Sequence, residues 1–262
     1  MPFTSVDPRH LLAANRTIVR ETLKQQKPSS DKIRAMQEIY LSRNATLYSE
    51  AQKAHIRQGL NAVQFKDVLA HTHLEELWTL SMDCRWSLFD LIENSVDKQV
   101  WTDEEHIIGA MHLESFVVQA RAFINVYMYY ICLLMNIAQP GEMTRDKFKR
   151  YMQKVSDPRL QNIAVQMTAY FDEAVFGEGQ WGKLVKDIRD KIVHRESLRP
   201  SAHGEEVVMG FLLDWPTIRG MTFEHFAQQF ANGVFELFRS TTPILLGLEW
   251  KAGPFREDLW QE

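Results

Sequence analysis

Helix-breaking residues are scarce in this chain, with 9 prolines and 12 glycines among 262 residues. Inside a helix a glycine costs about 1 kcal/mol and a proline about 3 kcal/mol relative to alanine. Folds with many strands need such residues at tight turns. Their sparseness therefore favours long uninterrupted helices over a many-stranded sheet, and the expected fold class is all-α. The length suits one large domain or two small ones.

Apolar periodicity supplies the elements. Residues 8–26 and 31–57 read as helices separated by "KPSS", with Ser30 as N-cap. A turn is expected near "QGLN" (58–61). Beyond it, 62–95 is helical throughout or broken once around His71–His73, because Leu74, Leu77, Trp78, Met82 and Trp86 follow helical spacing. "TDEE" (102–105) has the form of a capping box, with Thr102 as N-cap and Glu105 three residues on. It opens the longest helix, about 103–136, which is expected to stop at "QPGE" (139–142). Thr144 starts a short helix to about 155, and "SDPRLQ" starts another to about Phe176. A turn at "GEGQWG" (177–182) leads into a helix over 181–197. "VVMGFLLDW" (207–215) fits either a short strand or an irregular core segment. Thr222 caps a last helix, 223–246, with Phe226, Phe230, Val234 and Phe238 along one side.

The formal net charge is −4, which argues against a surface that binds nucleic acid everywhere. Its distribution is uneven. Lys and Arg outnumber Asp and Glu by 10 to 5 over residues 1–61 and by 12 to 8 over 144–199. The balance reverses to 3 against 11 over 62–115 and 4 against 9 over 200–262. Local basicity of that kind can meet phosphates, and it equally serves the solubility of a helix face. The two cysteines, Cys84 and Cys132, lie in apolar helical patterns without a second Cys or a His at metal-ligand spacing. A reduced, cytoplasmic setting fits that usage best. The opening "MPFTSVDPRH" lacks the basic start and apolar run of a signal peptide. The most apolar stretch, 116–138, is interrupted by Gln119, Arg121 and Asn125. Its clean part, 126–135, has about half the ~20 residues a spanning helix needs. It reads as a central core helix, and no membrane partner is expected.

"KDIRDKIVHRES" (186–197) stands apart from this bland helical text. At 100° per residue, Trp181, Leu184, Val185, Ile188 and Ile192 fall in one core-facing stripe. Arg189 sits at the edge of the stripe. Asp190 and His194, one turn apart, point away from the core beside Lys183 and Asp187. Asp190 can hydrogen-bond one imidazole nitrogen of His194 and fix it for general acid–base work. Lys186, Arg189, Lys191 and Arg195 supply positive charge where a phosphate can sit, with Arg able to hold two oxygens at once. Spacing alone also fits an ordinary solvated helix face.

The pattern Arg189-Asp190-x-x-x-His194 resembles the signature of the HEPN superfamily, an Arg followed by a polar residue and then a His, with four to six residues between Arg and His. Here four intervene. "HLESFVVQARAFINVYMYYI" (112–131) is similar to the first long core helix of such domains. The resemblance covers roughly 103–250 and does not place residues 1–100. It implies a HEPN-like helical bundle over 101–250, to which the helical pattern adds an N-terminal helical region over 1–100 packed on the bundle and a C-terminal tail over 251–262. It further implies a metal-independent endoribonuclease without cofactor, with Arg189, His194 and Asp190 as catalytic residues and Lys186, Lys191 and Arg195 as RNA-binding residues. Many members act in toxin–antitoxin, abortive-infection or CRISPR systems, so RNA and an antitoxin or other protein are the partners implied. One chain offers one motif histidine, whereas acid and base roles in one turnover are filled most simply by two, so a twofold homodimer is expected. The alternative is a non-catalytic helical interaction protein on the same scaffold.

Other candidates carry less. Glu114, Arg121 and Asn125 share one stripe of the long helix and read as a polar seam, or as a row orienting the motif residues. His71, His73, Glu75 and Glu76 resemble a ligand cluster, but the chain has no Glu-x-x-His pair, so they read as solvated and no metal site is assigned. A Gly-rich phosphate loop, a Gly-x-Ser-x-Gly elbow and a dinucleotide fingerprint are all absent from the sequence.

Overall fold

The computed structural model describes residues 17–21, 30–89, 103–137, 143–193, 204–207, 210–213 and 223–246. The main helices among them are α1 (Ser30–Arg43), α2 (Glu50–Phe89), α3 (Asp103–Leu134), α4 (Arg145–Met152), α5 (Pro158–Tyr170), α6 (Trp181–Val193) and α7 (Phe223–Leu246). A 3-10 turn (Ala45–Leu47) follows α1 and a π-helical turn (Phe171–Val175) follows α5. The fold is all-α, as the scarcity of breakers predicts. Its strands among the described residues are β1 (Gly204–Val207) and β2 (Gly210–Leu213), paired antiparallel with Gly204 opposite Leu213. The ambiguous 207–215 stretch thus supplies β2 and the end of β1.

Local chemistry explains most boundaries. Thr144 caps α4 by accepting from the Lys147 amide, and Asp157 caps α5 by accepting from the Arg159 amide, with Pro158 at the first helical position. The start of α3 at Asp103 and the extent of α7 match the sequence reading; Thr102 and Thr222 lie outside the described residues, as do 8–16, 22–26 and 194–197.

Two boundaries differ. The turn expected at 58–61 lies instead at 44–49, and α2 runs unbroken through "QGLN" and through His71–His73. Asn44 ends α1 by donating its side-chain amide to the Tyr40 carbonyl oxygen at 3.0 Å. Ser49 and Gln52 then form a reciprocal cap for α2. The Ser49 hydroxyl accepts from the Gln52 amide at 3.3 Å, and the Gln52 side-chain oxygen accepts from the Ser49 amide at 2.8 Å. Gly59 is not a turn residue but a point of close approach. A Cβ there would lie 2.8 Å from Leu133 Cδ1 and 3.4 Å from the Tyr130 ring. The second difference is at the end of α3, which stops at Leu134, before Pro140 can act. Asn136 takes a left-handed conformation (φ 55°), its amide donates to Leu133 and the Ile137 amide donates to Cys132. That is a Schellman end, with asparagine in the position usually given to glycine.

The chain forms two compact units, each discontinuous in sequence. One gathers Met1–Lys27, Phe65–Phe123 and Leu184–Asn232, and the other gathers Pro28–Gln64, Ile124–Lys183 and Gly233–Glu262. Each takes residues from both the 1–100 and the 101–250 segments. The tail 251–262 lies outside the described residues, as do Trp250 and Trp260.

In the first unit Phe116 of α3 meets Phe226 and Phe230 of α7 edge-on, with centroids 5.5 and 4.7 Å away. In the second, Tyr127 packs edge-on against Phe238 at 5.2 Å, and Phe171 lies 4.9 Å from Phe148. The Tyr40 and Tyr48 hydroxyls there converge on the Leu134 carbonyl, an acceptor that the helix end leaves open. Burial raises the pKa of both phenols, so they stay protonated donors. Ile108–Leu134 is long and apolar enough to cross a membrane by length and composition, and its most apolar part is more than half buried inside the protein. That burial is what the expected core helix over 116–138 requires.

Candidate active site

Helix α6 is amphipathic as its sequence dictates. Trp181, Leu184, Val185 and Ile188 are all less than a tenth exposed. The opposite face carries Lys186, Arg189 and Asp190, whose side chains are 48%, 39% and 38% exposed. Asp190 gathers both cations. Lys186 Nζ donates to Oδ2 at 3.0 Å and Arg189 Nη1 donates to Oδ1 at 3.2 Å. Burial pushes the Asp190 carboxyl up, but these two hydrogen bonds outweigh it and hold the group below the ordinary aspartate range. Asp190 is therefore an anion at neutral pH, and its neighbours are oriented by it. The backbone of Lys191 continues the helix; its side chain lies outside the described residues, together with His194 and Arg195.

Asp190 and His194 share the Asp-x-x-x-His spacing with a second pair, Asp67 and His71 of α2, which the sequence reading missed. Asp67 is only 2% exposed, and its Oδ1 lies 2.8 Å from His71 Nδ1. The same nitrogen lies 3.0 Å from the Asp67 carbonyl oxygen, so it faces two acceptor oxygens of one residue. The His71 ring also packs on Phe230, with centroids 5.7 Å apart. In this molecule, then, one turn of helix is enough to bring an aspartate oxygen to an imidazole nitrogen.

The supposed ligand cluster at 71–76 resolves into separate, partly buried interactions rather than a solvated face. His71 turns to Asp67. Glu75 accepts two bonds from Arg20, at 2.9 and 2.7 Å. His73 meets His112 of α3, Nδ1 to Nδ1, at 3.3 Å. Burial first and His112 second hold His73 below the usual histidine range, against the pull of Glu76. Among the described residues no group of three or more His, Cys, Asp or Glu is set to hold a metal ion.

The polar stripe of α3 is half-buried at Glu114, Arg121 and Asn125. Arg121 Nη1 and Asn125 Oδ1 are enclosed by protein. Within the second unit a cavity of about 30 Å³ lies among Gln37, Tyr40, Tyr127, Tyr130 and Phe238. It has room for about one or two waters, and none of the candidate catalytic, RNA-binding or metal-ligating residues lines it. No family model matches the chain, and no curated protein or solved structure matches it either.

Proposed function

We propose that the chain is a HEPN-type endoribonuclease that cleaves RNA without a metal ion, working as a twofold homodimer in the cytoplasm. An antitoxin or another protein is its regulatory partner in this reading. The observation that carries it is the contact of Arg189 with Asp190 on the half-exposed edge of an amphipathic helix in an all-α fold. Asp67 and His71 lend support, because the same spacing there brings carboxylate and imidazole together.

The chemistry is attack of a ribose 2′-OH on the adjacent phosphorus. The P–O bond to the 5′-oxygen breaks as the new one forms, leaving a 2′,3′-cyclic phosphate and a 5′-hydroxyl. His194 takes the 2′-OH proton, and His194 of a second copy gives a proton to the departing oxygen. Arg189 holds two phosphorane oxygens, while Lys186, Lys191 and Arg195 hold flanking phosphates. Asp190 orients Arg189 and His194.

The test is cleavage of single-stranded RNA in EDTA by the purified protein. Arg189→Ala and His194→Ala should each reduce the rate by about 10²–10⁴. Cleavage by the double variant at the wild-type rate would overturn the assignment. One observation favours the non-catalytic reading. Both oxygens of Asp190 are already held by cations of its own helix, as in an ordinary surface pair. Under that reading the wild-type protein leaves RNA intact.

A further inference from the structure

We propose that His73 of α2 and His112 of α3 form a two-point site for a borderline transition-metal ion of the Zn²⁺, Ni²⁺ and Cu²⁺ class. The argument is geometric. Their Nδ1 atoms lie 3.3 Å apart, with ring centroids 5.5 Å apart and ring planes inclined at 50°. At 3.3 Å the contact is a long hydrogen bond whose donor depends on the tautomer. A tetrahedral ion with metal–nitrogen bonds of about 2.0–2.1 Å needs its ligand atoms about 3.3–3.4 Å from each other. The nitrogen separation matches that bite; the two nitrogens face each other nearly in line, so each ring has to tilt slightly for both lone pairs to meet one ion.

Two imidazole nitrogens facing each other at this distance cannot both carry a proton without repulsion. At least one lone pair therefore points into the gap, and a metal ion replaces the remaining proton. The donors come from different helices, 39 residues apart in sequence, so a bound ion clips α2 to α3 inside the first unit. Both rings are half-buried rather than enclosed, which leaves a side open to entry and to the waters that complete the coordination shell. Glu76, one turn beyond His73, adds negative charge near the pair. With only two protein donors the preference should follow softness and the usual order for nitrogen sites, Cu²⁺ above Ni²⁺ and Zn²⁺, with Mg²⁺ excluded.

The experiment uses the full chain, titrated calorimetrically at fixed pH with Zn²⁺, Ni²⁺ and Cu²⁺, and with Mg²⁺ as control. One equivalent per chain should bind, and saturating Zn²⁺ should raise the melting temperature by about 3–6 °C. The paramagnetic resonance spectrum of the Cu²⁺ form should carry splitting from two nitrogen donors. His73→Gln and His112→Gln should each weaken binding by at least about tenfold, and the double variant should lose the melting shift. If a variant fails to fold, protection of His73 and His112 from diethyl pyrocarbonate by Zn²⁺ in the wild-type chain reads the same contact. Equal binding by wild type and a folded double variant would overturn the proposal. So would the absence of saturable binding, or Zn²⁺ leaving both histidines fully reactive.

Discussion

Among the described residues, Asp172 and Asp190 are each held by two cations, and their surroundings give them different work. Asp172 accepts from Arg145 Nη2 at 2.7 Å and from Lys149 Nζ at 2.6 Å, with its side chain 24% exposed. Burial raises its pKa, but the hydrogen bonds from Lys149 and Arg145 prevail and the net shift is downward. Asp172→Ala should cost about 1–2 kcal/mol in urea unfolding, because two charged donors lose their acceptor. A carboxyl lowered on folding contributes fully above the ordinary aspartate value, about 3.9, and that contribution disappears as pH falls through the folded value. The stability gap between wild type and Asp172→Ala should therefore close on the acid side of pH 4. Asp190 is more exposed, and Asp190→Ala should leave stability within about 0.5 kcal/mol. If it also slows RNA cleavage, the loss belongs to chemistry and not to folding. A large destabilisation would instead make Asp190 a structural group.

At the scale of the element, the N-terminus of α6 is held by a notch in α7. Gly233 has no side chain where the Trp181 indole lies, and a Cβ there would come within 2.4–2.6 Å of three ring carbons. Alanine is favoured over glycine by about 1 kcal/mol in a helix interior. Overpacking costs about 1–3 kcal/mol, and a rigid indole has nowhere to bend. The clash should win, so Gly233→Ala lowers the urea midpoint despite its better propensity. Trp181→Leu in the same chain should restore part of that loss, a non-additivity that a double-mutant cycle reads directly. Additive effects would mean the two side chains do not compete for this space.

For the whole molecule, the proposed reaction sets the assembly. One motif histidine per chain calls for a second copy, and the polar face of α6 is where Lys186, Arg189 and Asp190 stand half-exposed. Light scattering should give twice 30.6 kDa, and a crosslinker placed near residue 190 should join two chains. A monomer that leaves RNA uncut would move the chain to the non-catalytic reading.

Wherever a structural outcome depended on neighbours in the chain, it could be read from the sequence alone. Thr144 and Asp157 announce α4 and α5 because a capping side chain acts within three residues. The stripe from Trp181 to Ile188 announces the buried face of α6 because helical periodicity is a property of the segment alone. The same logic reached Asp190 on the other face and Arg189 at the edge of the stripe. It failed at Gly59, whose place inside α2 reflects Leu133 and Tyr130 pressing from α3. It misjudged His73 as well, since nothing within a turn of that residue foretells His112. Contacts between residues tens of positions apart depend on how helices cross, and only the folded chain decides that.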